Sequence, residues 1–223
     1  MRREQKMVLY RLPIIILTMS LVYIFIVPNE PFMFKLFFKL LPMGMIIYYA
    51  FKLSPKNKNA VHWLILAGLC FSIIGDGTLH WFIIGLTAFF IAHIFYCIGF
   101  LSKAEFTKLR VIAMLPIIIY SIIFATRLVP ALEKSGDSEL ILPVVAYIII
   151  ISLMLWSAIL TGNKFAAFGS LLFVISDSIL AWNMFVEPIG IAQTLIMIFY
   201  YGGQYLIATS IYSIAKTNRR IVW

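Results

Sequence analysis

Acidic residues are scarce in this chain: nine Asp and Glu among 223 residues, against eighteen Lys and Arg. Charged residues make up 12% and apolar residues 63%, whereas soluble domains lie nearer a quarter and a half. With a mean hydropathy of +1.01, this balance excludes a sizeable soluble domain and describes an integral membrane protein. There are two cysteines, Cys70 and Cys97, both inside apolar runs; they are read as packing residues rather than a disulfide. The three histidines, His62, His80 and His93, form no HExxH, and no paired-Cys motif, GxSxG elbow or P-loop is present. A zinc set of His80, His93 and a carboxylate would need His80 drawn inward from the interface, so no metal and no cofactor is expected. The basic N-terminus and the apolar run 12–27 are followed by no small-residue cleavage site, and the run is read as a first transmembrane helix.

A spanning helix needs about 20 mostly apolar residues. The hydropathy pattern predicts an all-α polytopic bundle of about eight spans, near 12–27, 33–51, 60–80, 81–101, 109–127, 140–160, 165–185 and 190–214, forming a single membrane domain over 1–223. With eight spans the termini share one face. That face holds Arg2, Arg3, Lys6, Arg11, Lys52, Lys56, Lys58, Lys103, Lys108, Arg110, Lys164, Lys216, Arg219 and Arg220, which is fourteen of the eighteen basic residues. The positive-inside rule then predicts that both termini are cytoplasmic. The net charge of +9 is therefore a topology signal with a secondary pull toward anionic lipid. Basic residues and aromatics interleave in no exposed stretch, and no nucleic-acid partner is expected.

Two of the nine acids lie inside long apolar runs: Asp76 in LCFSIIGDGTLHW and Asp177 in LLFVISDSILAW. A carboxylate in hydrocarbon costs several kcal/mol unless protonated, paired or facing a cavity, so such a residue marks a candidate functional site. Their surroundings match in frame: Gly68, Asp76, Leu79 and Trp81 align with Gly169, Asp177, Leu180 and Trp182 at an offset of 101. Leu12–Ile16 recurs as Leu115–Ile119 at offset 103, Leu41-Pro42 as Leu142-Pro143 at 101, and Ile94–Tyr96 with Gly99 as Ile198–Tyr200 with Gly203 at 104. This order suggests a parallel 4+4 repeat with halves 1–108 and 109–223, in which an even number of spans per half gives an axis along the membrane normal. Both acids fall in the lumenal or external half of outward-running spans, and Lys39 begins a span on that same side. His93, Tyr96, Tyr200, Tyr201 and Gln204 are the further polar residues at helix depth. Each of these also suits ordinary interhelical hydrogen bonding.

The segment Ser72-Ile73-Ile74-Gly75-Asp76 departs from the GxGD of intramembrane aspartyl proteases in lacking the first glycine, and no Pro-Ala-Leu motif follows in the last spans. A different set fits in order and spacing: Lys39–Pro42, Phe71–Asp76 with Leu79, His93–Tyr96, Gly169–Phe173, Ser176-Asp177, Ala181 with Asn183 and Phe185, then Tyr200-Tyr201 and Gln204. In these segments, spread over most of the chain, the sequence resembles the lysoplasmalogenase family, the YhhN-like membrane proteins. It departs from the family at Met184, where a Lys is usual, and at Gly202-Gly203.

The resemblance implies a multi-span enzyme, of the endoplasmic reticulum in eukaryotes, that hydrolyses the vinyl-ether bond of lysoplasmalogens. The products are a fatty aldehyde and a glycerophospho-ethanolamine or -choline. Asp76 and Asp177 are then the expected catalytic pair, and Lys39, His93, Tyr96, Asn183, Tyr200 and Gln204 the expected substrate-binding residues. A vinyl ether is cleaved by protonating the alkene carbon remote from oxygen, followed by addition of water. That chemistry asks for one acid and one carboxylate to steady positive charge, a division of roles also used in glycoside hydrolysis. Intramembrane acids and parallel repeats are equally features of a proton-coupled carrier, and a lipid-sensing protein without catalysis is a third reading.

Overall fold

Backbone N–H and C=O groups find no water in hydrocarbon, so a spanning chain must bond them internally; this one does so with helices. A computed structural model describes residues 3–214, with side chains described for 10–214. The basic residues Arg2, Lys216, Arg219 and Arg220 lie outside the described residues, as do the side chains of Arg3 and Lys6. The helices are α1 (Arg3–Phe25), α2 (Phe32–Leu53), α3 (Ala60–Thr78), α4 (Phe82–Leu101), the short α5 (Lys108–Ile112), α6 (Met114–Ser135), α7 (Ile141–Leu160), α8 (Lys164–Phe185) and α9 (Ala192–Ile214). A 3₁₀ turn, Ser138–Leu140, leads into α7. Among the described residues, seven helices are long and apolar enough to cross a membrane, and α1 adds a shorter apolar stretch, Tyr10–Phe25.

Local chemistry fixes several ends. Asn59 caps α3: its side chain accepts from the backbone N–H of His62, and its own N–H donates to His62 Nδ1 at 3.1 Å. Asn163 caps α8 by accepting from the N–H of Ala166 at 3.2 Å. The expected span 109–127 is interrupted near its start and corrected at its far end. Pro116 offers no N–H to the carbonyl of Ile112, four residues back, and α5 stops at Ile112 before α6 begins at Met114. At the far end Arg127 does not close the helix. Leu128 and Leu132, four residues apart and therefore on one face, are fully buried, and α6 continues to Ser135, where Gly136 takes a left-handed conformation (φ 86°).

Small residues set the closest approaches. A Cβ placed on Gly169 of α8 would lie 2.8 Å from the Gly203 carbonyl oxygen of α9, and one on Gly203 would lie 2.8 Å from the Gly169 oxygen. The two backbones therefore meet face to face, as small residues permit in membrane helices. Elsewhere α3 packs along α4, α2 along α9, and α4 along α7. The outward faces carry Ile14, Leu17, Ile119, Ile122, Leu142 and Ile149, all exposed; hydrocarbon is the solvent that suits them. In contrast, α6 buries only Leu128 and Leu132, in a small cluster with Val144 of α7. Pinned at that end, α6 leaves a cleft against α4, α7 and α8.

Candidate active site

Both intramembrane acids are held by tyrosine hydroxyls, on separate sets of helices. Asp76, near the end of α3, is 4% exposed. Its Oδ2 accepts from Tyr200 Oη of α9 at 2.6 Å, and its Oδ1 forms an ion pair with Lys39 Nζ of α2 at 3.3 Å. Lys39 also donates to the Asp76 backbone oxygen at 3.2 Å. The backbone of Lys39 is fixed in turn, because Tyr201 Oη donates to its carbonyl at 2.7 Å. Two consecutive tyrosines of α9 thus grip the acid and its cation from one side.

Asp177, on α8, has a different neighbourhood. Tyr147 Oη of α7 donates to Asp177 Oδ2 at 2.5 Å. His93 of α4, fully buried, has its Nε2 at 2.9 Å from that same hydroxyl and 3.8 Å from Asp177 Oδ2. An aromatic wall joins the two neighbourhoods. Phe173 packs edge-on against both His93 and Tyr200, with ring centroids 4.7 and 5.4 Å away, and Phe89 packs on both Phe173 and Tyr200.

Glycine makes room for this wall. A Cβ at Gly75 would fall 2.8 Å from the Phe89 ring, and one at Gly68 would collide with the Tyr96 ring. The glycine preceding Asp76 therefore admits an aromatic ring beside the acid.

A cleft lies between α4, α6, α7 and α8, with about 750 Å³ of space free of protein atoms that includes its opening to the surroundings. Phe82, Leu86, Phe89, Phe124, Leu128, Val144 and Ile148 give it an apolar wall, and Asp177 and Tyr147 bring a carboxyl group and a hydroxyl to it. Tyr120, Ser121, Ser152 and Ser178 add hydroxyls, paired as Tyr120 to Ser178 at 2.7 Å and Ser121 with Ser152 at 2.8 Å. Asp177 lines this cleft and Asp76 does not. A largely apolar cleft with one carboxyl group and a few paired hydroxyls suits a lipid with its reactive bond near that carboxyl group.

Of the residues expected from sequence, Asp76, Lys39 and Tyr200 come together, and Asp177 and His93 come together. Tyr96 and Gln204 form a separate buried pair, Tyr96 Oη donating to Gln204 Oε1 at 2.9 Å. Asn183 closes the turn after α8, its Oδ1 accepting from the N–H of Ile189 at 2.8 Å. Among the described residues, no group of three or more His, Cys, Asp and Glu is placed to hold a metal ion. Sequence reasoning missed Tyr147. Its only mark is a lone hydroxyl in the run VVAYIIII, and Ile46 stands at the matching position 101 residues earlier.

Comparison with known proteins adds a family. The YhhN family model matches residues 34–211. A mouse protein named lysoplasmalogenase TMEM86B is 31% identical over 199 residues, covering 87% of this chain and 83% of the relative. The human TMEM86B lysoplasmalogenase is 33% identical over 175 residues, 77% of this chain and 73% of the relative. Human lysoplasmalogenase TMEM86A is 33% identical over 162 residues, 66% of this chain and 64% of the relative. No solved structure gives a significant match.

Proposed function

The chain belongs to the YhhN family, and on that premise we propose that it is a multi-pass membrane hydrolase cleaving the vinyl-ether bond of lysoplasmalogens. The products are a fatty aldehyde and a glycerophospho-ethanolamine or -choline. Asp76 and Asp177 are its catalytic acids, and a lysophospholipid drawn from the surrounding bilayer is its substrate. In a eukaryote its place is the endoplasmic reticulum membrane. The observation that carries the reading is the pair of intramembrane carboxyl groups, each gripped by a tyrosine, one of them in the wall of a largely apolar cleft. The names of the relatives supply the substrate class. We read the chain as one membrane domain of two repeated halves, a reading that the crossed packing of α2 on α9 and α4 on α7 supports.

In this reading a carboxylic acid protonates the alkene carbon remote from the ether oxygen, and the oxygen lone pair carries the resulting positive charge. Water adds to the cation and gives a hemiacetal, which collapses to aldehyde and alcohol. The test is purified protein in detergent, given a lysoplasmalogen in D₂O, with the aldehyde trapped by reduction as it forms. Carbon protonation places one deuteron at the aldehyde's second carbon. Aldehyde release with that label supports the proposal. Binding or translocation of the lipid with no aldehyde released would replace it with the carrier reading.

A further inference from the structure

We propose that Tyr147, backed by His93, stabilises the carboxylate left on Asp177 when that residue gives its proton to the substrate. The inference rests on the hydrolase reading above and divides the labour between the two acids. Asp177 lines the cleft, whereas the oxygens of Asp76 are taken by Lys39 and Tyr200 outside it. Asp177 is therefore the acid that meets substrate. Its Oδ2 accepts from Tyr147, and among the described residues Oδ1 has no hydrogen-bond partner, which leaves Oδ1 to carry the transferable proton.

The direction of the chain behind Asp177 follows from satisfying its donors. The Tyr147 hydroxyl has one proton, and Asp177 Oδ2 receives it at 2.5 Å. The contact of 2.9 Å between His93 Nε2 and Tyr147 Oη then needs its proton from the imidazole. His93 Nδ1 is buried and makes no hydrogen bond among the described residues. A proton there would be an unsatisfied buried donor, which costs about 1–3 kcal/mol. The neutral ring accordingly keeps its proton on Nε2, and the chain reads His93 Nε2–H to Tyr147 Oη–H to Asp177 Oδ2. Against His93 pack Tyr96, Tyr147 and Phe173; the Asp76–Lys39 pair lies beyond Phe173 and Tyr200.

The step balances as follows. The Asp177 Oδ1–H bond breaks, and its proton joins the alkene carbon through the π pair. The ether oxygen forms a second bond to its carbon, and Asp177 holds the electron pair as a carboxylate. At that moment the Tyr147 bond becomes charge-assisted, roughly twice as strong as a neutral one, and a chain of donors strengthens each member. Water then adds to the cation and returns a proton to Asp177. Tyr147, in the cleft wall, acts directly on the developing charge, and His93 is a positioning residue behind it.

The test uses Tyr147→Phe, which keeps the ring, with His93→Leu and His93→Gln, since the glutamine amide nitrogen can stand where Nε2 stood and donate. Removing one preorganised donor should lower kcat about 10²-fold with KM little changed. His93→Leu should lower kcat by a smaller factor, and His93→Gln should recover most of that loss. A merely structural role would reduce the yield of folded protein without separating Gln from Leu in kcat. A second readout needs no turnover. The infrared carboxyl band that disappears in Asp177→Asn should move in Tyr147→Phe, move less in His93→Leu and stay in place in His93→Gln. An unmoved band in Tyr147→Phe, or an unchanged kcat, overturns the proposal while aldehyde release by the parent protein still supports the hydrolase reading. If the parent releases no aldehyde, the hydrolase reading and Tyr147's catalytic role fall together, and the band shifts alone report on the hydrogen-bond chain.

Discussion

A methyl group added at Gly75 should weaken the protein, and the same methyl two residues later at Gly77 should not. Both glycines flank Asp76 on α3, so helix propensity alone treats them alike; alanine gains about 0.8–1 kcal/mol over glycine in a helix interior. Their surroundings differ. The Cβ of an alanine at 75 would lie 2.8, 2.8 and 3.0 Å from three atoms of the Phe89 ring, whereas at 77 the nearest atoms are Leu40 methyls at 4.0 Å. Phe89 is 7% exposed and packs against Phe173 and Tyr200, so it has little room to retreat. Overpacking of this kind costs about 1–3 kcal/mol. Because the propensity gain cancels between the two variants, the difference between Gly75→Ala and Gly77→Ala isolates the clash and should be about 1–3 kcal/mol. Reversible unfolding in mixed micelles, titrated with a denaturing detergent, measures both. Phe89→Leu added to Gly75→Ala should recover part of the loss, the non-additivity expected of residues in contact. Equal stability of the two alanine variants, or no rescue by Phe89→Leu, would refute the reasoning.

Three further outcomes are expected. Lys39→Met should lower kcat more than it raises KM, because the ammonium sits on Asp76, and should cost stability of about 3 kcal/mol by leaving a buried acid without its cation; an unchanged kcat/KM would return Lys39 to a side chain that merely reaches for the interface. Gly169→Val should destabilise more than Gly75→Ala, since its Cβ would meet the backbone oxygen of Gly203 and the backbone nitrogen of Ile207 at 2.8 Å, and neither can swing aside; unfolding midpoints compare the two. The orientation expected from the positive-inside rule, with the acids in the lumenal or external half, predicts an entrance on that side, near the Lys35–Lys39 stretch and Glu187. Glu30→Cys and Glu187→Cys in a Cys70→Ala, Cys97→Ala background should react with an impermeant thiol reagent from that side, and labelling from the cytoplasmic side alone would contradict both topology and entrance.

The helices were legible because a membrane span is written in composition: about 20 apolar residues admit few other structures. The acids stood out for the same reason, as charges where hydrocarbon penalises them. Lys39 could be placed by sequence at the depth of both acids, and the structure pairs it with Asp76. Boundaries set by particular contacts were less visible. The expected end of the fifth span at 127 gave way to Ser135 because Leu128 and Leu132 find partners on α7 and α4, a fact of packing that Arg127 conceals. Tyr147 was invisible as a site residue, since one hydroxyl in an apolar run reads as routine interhelical bonding. Only the meeting of α4, α7 and α8 turns it toward Asp177. The glycine beside Asp76 could be seen but not explained until Phe89, fourteen positions on, proved to occupy the space it leaves.

The central claim, that two membrane-embedded carboxyl groups carry a vinyl-ether hydrolysis, is tested most directly by the turnover of Asp76→Asn and Asp177→Asn. Each variant, purified and compared with the parent for aldehyde released from a lysoplasmalogen, should lose at least about 10²-fold in kcat while remaining folded and membrane-inserted. Near-normal aldehyde release from either folded variant would contradict the account and remove that residue from the mechanism.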